Sequence, residues 1–309
     1  MRRFRFGLSA RPEPSPGALQ EQARWTELHG FSTLLVADHL VPDLLDPMPA
    51  LAAASAATTT LRLGTLVINN DFRHPAMLAR EAITVDALSE GRFELGIGAG
   101  HMQSEYDAAG IRFDRGRVRV DRLAESVGIL NPLLAGEECT FEGEFYQVRG
   151  LRLPAPAQSP HVPLQIGGNG PRVLRLAAEH ADTVGFVGFT HHRGGKEVTL
   201  SDFGPEALER QVAAVRQAAR GRDVDMSVLV QVTSVTDSAR SVAADLATRL
   251  GLPDTDAVLA SPYVLIGSVE SLIEKLQSQR ERFGVSYPVV FEARGGRELV
   301  PVVRRLAGT

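Results

Sequence analysis

Between Leu61 and His101 the chain reads LRLGTLVINNDFRHPAMLAREAITVDALSEGRFELGIGAGH. Two runs within it, RLGTLVI (Arg62–Ile68) and RFELGIG (Arg92–Gly98), are largely apolar and lack strict alternation. Strands covered on both faces read this way, and such strands belong to parallel sheets. The residues between them, Pro75 to Gly91, carry helix signals: proline in the first turn and glycine past the last. Strand, helix and strand together make one parallel crossover unit.

The same unit recurs along the chain. Further strands read at Arg3–Ala10, Ser32–Asp38, Val162–Gly168, Asp182–Gly188, Met226–Thr233 and Tyr287–Ala293. Between them run helical stripes, such as Leu123, Val127, Leu130 and Leu134 on one face. The last long helix begins near Ser268, with Glu270 in its first turn where the dipole favours an acid. Eight strands alternating with helices predict an α/β fold, a (β/α)8 TIM barrel occupying residues 1–309 as one domain. An open doubly wound sheet is the competing arrangement. The region Cys139–Ser159 breaks the alternation: TFEGEFYQV reads as a hairpin turning at Glu142–Gly143, and RLPAPAQSP as an extended connection. It reads as an insertion before the fifth strand.

Bulk properties narrow the function. The 309 residues are 44% hydrophobic and 23% charged, with a net charge of -4. Neither a nucleic acid nor a membrane is the expected partner. The segment MRRFRFGLSARPEP lacks the apolar core of a signal peptide, and Cys139 is the single cysteine. Both suit a reducing cytoplasm.

Barrel chemistry gathers at the C-terminal ends of strands. There the second strand runs into Asp38-His39, the third into LVINND, the fourth into GIGAGHMQSE and the fifth into IGGNGP. Imidazole titrates near neutrality, and a carboxylate nearby can fix its tautomer. Asp38-His39 is therefore a candidate catalytic pair. The plainer alternative makes Asp38 the cap of the following turn, since adjacent residues leaving a strand point apart. Gly167, Gly168, Asn169 and Gly170 before Pro171 resemble an anion-binding turn, or else a purely structural one. Gly96, Gly98 and Gly100 do not complete a dinucleotide fingerprint, because His101 follows. His29, His74, His161 and His180 read as loop or helix-end residues, and the adjacent His191-His192 lack helical metal-site spacing. No metal site is expected. Lys196 and Lys275, a loop and a helix residue, disfavour a Schiff-base aldolase.

Taken in order, GFSTLLVADHL, the Leu61–Ile111 block, PLQIGGNGPRVLRLAAEHADTVGF and YVLIGSVESLIEKLQSQRERFGV resemble the luciferase-like monooxygenase superfamily. They resemble its coenzyme F420-dependent oxidoreductase branch most. The resemblance implies a homodimer that binds a small-molecule substrate and a deazaflavin at the barrel mouth. It implies hydride transfer at the deazaflavin C5, with Asp38 and His39 positioning cofactor and substrate and His39 moving the proton. It implies a non-proline cis peptide at Leu66–Val67 backing the ring, with Asn69 beside it. It assigns Gly98, Gly100 and Ser104, and Gly167, Gly168, Asn169 and Gly170, to the cofactor tail and phosphate. Where sugar-phosphate dehydrogenases of the branch carry a catalytic glutamate, this chain has His101, a possible replacement. Where they carry an aromatic past Asp-His, it has Asp43. Two other functions stay open: an FMN-dependent monooxygenase using reduced flavin and dioxygen, and a silent flavin-binding barrel.

Overall fold

The computed structural model describes residues 1–309 apart from 11–14, 16, 192–197, 200–201 and 253. Eight strands build the barrel: β1 (Gly7–Ala10), β2 (Thr33–Val36), β3 (Arg62–Thr65), β4 (Phe93–Gly98), β5 (Leu164–Gly167), β6 (Thr183–Phe186), β7 (Asp225–Val230) and β8 (Tyr287–Phe291). Each corresponds to an expected strand. All pair in parallel, β3 joins β4 through Leu63 and Phe93, and β1 pairs with both β2 and β8. The cylinder is therefore closed, which excludes the open sheet. The expected helices are also present, among them Pro75–Leu88, Gly116–Leu134 and Val269–Phe283.

The interior is filled by side chains. Leu35, Tyr287 and Val289 form its apolar middle, and half-buried Leu66 and Leu229 pack against them. Gly7 makes room for this layer, because a Cβ there would lie 2.7 Å from Leu35 and 2.9 Å from Val289. At the N-terminal end, Arg5 and Arg62 share Glu94, and the Arg5 guanidinium sits 4.3 Å from the centre of the Tyr287 ring. Burial drives the Tyr287 phenol well above its ordinary range. A barrel closed at that end leaves the C-terminal mouth as the place for ligands.

One expected strand is divided. The apolar run Met226–Thr233 predicts one continuous strand, yet the backbone N–H of Gln231 donates to the Tyr263 carbonyl at 2.7 Å. The chain then leaves the cylinder, and Val232–Val235 pairs in parallel with Val264–Gly267. The hairpin falls where expected, between Cys139–Glu142 and Gln147–Leu151. Its turn is held by the Glu125 carboxylate, which accepts the N–H groups of Glu144, Phe145 and Tyr146 at 2.7, 2.9 and 3.1 Å. The proline-rich connection is pinned by buried Asp86. Its carboxylate accepts the Ala157 N–H at 2.7 Å, the Gln158 N–H at 3.2 Å and the Gln158 side-chain amide at 2.6 Å.

Asp86→Ala removes the acceptor for all three donors while the helix that carries it stays intact. Stability should fall by about 3 kcal/mol in urea unfolding. A loss below about 0.5 kcal/mol would mean that the insertion is held elsewhere.

Candidate active site

At the mouth of β2, Asp38 and His39 do not bond to each other. The Asp38 carboxylate is buried, and it accepts the Asn69 backbone N–H at 2.9 Å and the Arg73 guanidinium at 2.6 Å. Arg73 continues to Asp46 at 2.8 Å, and Asp46 caps helix Pro47–Ser55 through the Met48 N–H. Asp38 thus fastens the end of β2 to the continuation of β3 at Ile68–Asn69. Asp38, Asp46 and Glu81 raise the Arg73 pKa against the opposing effect of burial.

His39 finds its acid on another element. Its Nδ1 lies 2.9 Å from Glu105, which is 5% exposed on the short helix Gln103–Ala109 beyond β4. A carboxylate at that distance fixes the proton on Nδ1 and leaves Nε2 as an acceptor. The sequence did not single out Glu105. Its only sign was an acid in the first turn of the helix after GIGAGH, four residues past His101. The His101 ring meets His39 edge-on, with centroids 5.4 Å apart. A cavity of 490 Å3 opens beside His39, lined on its apolar side by Leu40, Val41, Leu44, Phe72 and Ile111.

The peptide between Leu66 and Val67 is cis, as the resemblance implied. Val67 lies over the glycines of the neighbouring strands: a Cβ on Gly98 would come within 2.8 Å of it, and one on Gly167 within 3.4 Å. Gly98 therefore makes space for Val67, whereas a Cβ on Gly167 would only touch it. Gly100, at φ +74°, has a similar job, since a Cβ there would lie 2.0 Å from the Tyr106 hydroxyl. That hydroxyl donates to Asn69 Oδ1 at 2.9 Å, and Asn69 Oδ1 also accepts the Asp71 N–H. Burial and the nearby Asp71 push the Tyr106 phenol far above its ordinary range. The Asn69 side-chain oxygen and its backbone N–H are thus both committed to protein.

The fifth-strand turn divides its roles. The Asn169 side chain donates to the Phe189 carbonyl at 2.7 Å and accepts the Val187 N–H at 3.1 Å, tying β5 to the loop after β6. Gly168 faces Val173, which a Cβ would meet at 2.9 Å. Gly170 faces open space and precedes helix Pro171–His180, whose N-terminus has no side-chain cap. Ser104 is exposed on helix Gln103–Ala109.

The other histidines and the lysine that the structure describes lie elsewhere. His161 Nε2 sits 3.0 Å from both Asp182 oxygens, near the N-terminal ends of β5 and β6. His74 caps helix Pro75–Leu88, and His29 follows helix Ala18–Leu28. Lys275 is half-buried with its pKa pulled down to about 7 by desolvation, and its side-chain nitrogen donates to the carbonyls of Leu259 and Val264. Among the described residues, no group of three or more His, Cys, Asp or Glu could hold a metal. His192 and Lys196 lie outside the described residues.

A family model described as luciferase-like monooxygenase matches residues 3–284. A curated relative from Nakamurella multipartita, an F420-dependent glucose-6-phosphate dehydrogenase, is 36% identical over 60% of this chain and 56% of its own length. The F420-dependent tetrahydromethanopterin reductase of Methanopyrus kandleri superposes with a TM-score of 0.78, at 19% identity, over 99% of each chain. The FMN-bound oxygenating component of 3,6-diketocamphane monooxygenase from Pseudomonas putida gives 0.73, at 20% identity, over 99% and 98%.

The two glycines of the fifth-strand turn should respond oppositely to substitution. Gly168→Ser drives a side chain into Val173 and should cost about 1–3 kcal/mol. Gly170→Ser places a good capping hydroxyl in open space and should leave the melting temperature unchanged or raised. Equal losses at both positions would contradict this assignment.

Proposed function

Because the chain belongs to the luciferase-like monooxygenase family, we propose that it is an F420-dependent oxidoreductase acting on a small organic substrate. The observation that carries the chemistry is the His39–Glu105 pair at the barrel mouth. The named cofactor of the curated relative favours F420 over FMN, and with F420 bound the deazaflavin C5 supplies or accepts the hydride.

The residues present fit such a group. Half-buried Leu66 and Leu229 offer an apolar floor over the filled barrel interior. The turn ending at Gly170 offers open space and an uncapped helix N-terminus to a phosphate. His39 Nε2 takes the proton of a substrate hydroxyl as its carbon loses hydride, and returns it in the reverse direction. Glu105 keeps the imidazole in the accepting tautomer and stabilises the imidazolium that forms. His101 stands edge-on against the His39 ring. Asp38 is a positioning residue in this scheme, holding the β3 extension in place. The resemblance carries a cytoplasmic homodimer with it as part of the same proposal, and no described helix is long and apolar enough to cross a membrane.

Fluorescence titration tests the cofactor. The protein should bind F420 with micromolar or tighter affinity, and Gly170→Asp should weaken that binding at least tenfold. Because Asp is a good N-cap, the melting temperature of this variant should not fall. FMN binding with no F420 binding would overturn the assignment.

Nitrogen-15 NMR tests the pair without any substrate. Above the histidine titration range, wild-type His39 should carry its proton on Nδ1. Glu105→Ala should return His39 to the Nε2-protonated form that free imidazole side chains favour. A wild-type Nε2–H would remove the proposed acceptor.

A further inference from the structure

Between the two glycine turns of the mouth lies a run that the proposed chemistry leaves unused, IRFDRGRVRVDR, with Arg112, Arg115, Arg117, Arg119 and Arg122 inside eleven residues. It leads into helix Gly116–Leu134, and its contacts place it between the turns. Arg119 donates to the Ala99 carbonyl at 3.2 Å, beside Gly98 and Gly100. Arg172, next to Gly170 and Pro171, donates to the Arg117 carbonyl at 3.3 Å.

The patch is not neutralised by its own acids. Asp114 is shared by Arg112 and Arg122, and Asp121 by Arg117 and Arg172. Arg122 also takes Asp71 at 2.8 Å. Among the described residues, Arg115 forms no ion pair, and Arg112, Arg115 and Arg117 are exposed. A run of charge on a helix is usually a solvated face, but its position argues against that here. Arg115, Arg117 and Arg172 stand at the starts of two helices whose first turns hold no acid. The helix dipole disfavours cations there, so the folded chain keeps a local excess of positive charge that an anion would relieve.

We propose that this arginine patch binds the oligoanionic tail of the coenzyme, meaning the phosphodiester and the chain of γ-linked glutamate carboxylates that follow it in F420. The inference rests on the F420 reading above. It goes further by assigning the tail to Arg112, Arg115, Arg117 and Arg172, side chains remote from the reacting atoms. FMN ends at its phosphate and would leave most of the patch unfilled. The patch thus gives the chain a means of preferring one coenzyme over the other.

The test compares three probes: F420, its tail-less deazaflavin–ribitol precursor, and FMN. Their dissociation constants are measured with the wild type and with the double variant Arg115→Ser/Arg117→Ser, using melting temperature as the folding control. The wild type should bind F420 at least tenfold more tightly than the precursor, and the gap should shrink as salt rises. The double variant should lose at least tenfold in F420 affinity while its precursor affinity stays within twofold. An unchanged F420 affinity in the double variant overturns this inference alone, as does an equal loss for FMN, which would make the patch a simple phosphate site. A wild type that binds neither F420 nor the precursor overturns the F420 reading and this inference with it.

Discussion

The mouth of the barrel is organised by one buried carboxylate. Asp38 leaves β2 and accepts the Asn69 N–H, which fixes the extension of β3. The Asn69 side chain then accepts the Tyr106 hydroxyl, and Tyr106 neighbours Glu105, which holds His39 at 2.9 Å. His39 follows Asp38 in the chain, so the contacts return to their start. The acid does position the imidazole, but through a ring of residues on three strand ends. A charge so deeply enclosed is tolerated because Arg73 and a backbone N–H satisfy it together, and losing either partner would be costly.

That ring explains several residues which a ligand alone would not. Gly100 must lack a side chain for Tyr106 to reach Asn69, and Gly98 must lack one for Val67 to settle on β4. Glycines near a cofactor site are commonly explained by close approach of the ligand. Here the close approach is made by protein, and the ligand-facing role proposed above falls to Gly170, which nothing crowds. The proposed anion site and the packing site of one turn are thus two residues apart.

Eight strands, the inserted hairpin and the helix boundaries were legible because each rests on local pattern: apolar runs, a Glu-Gly turn, a proline at a helix start. The split after Val230 was not, because it depends on Gln231 bonding to Tyr263, far along the chain. The site was legible by position and much less by partnership. The rule that chemistry gathers at strand ends pointed to Asp38, His39 and His101 as candidates, and the family resemblance located the cis peptide. Glu105 stayed hidden because its closeness to His39 exists only once the barrel has closed. The resemblance sets His101 at the family's glutamate position, and the carboxylate that reaches His39 comes from four positions later.

A crystal structure of the complex with F420 is the most direct check on the central claim that a coenzyme ring lies across this mouth. The ring should rest on Leu66 and Leu229, with His39 Nε2 on its open face. The tail should leave between Ala99 and Gly170 toward Arg117. A ring bound anywhere else, or a His39 turned from it with Glu105 paired to another group, would contradict the account.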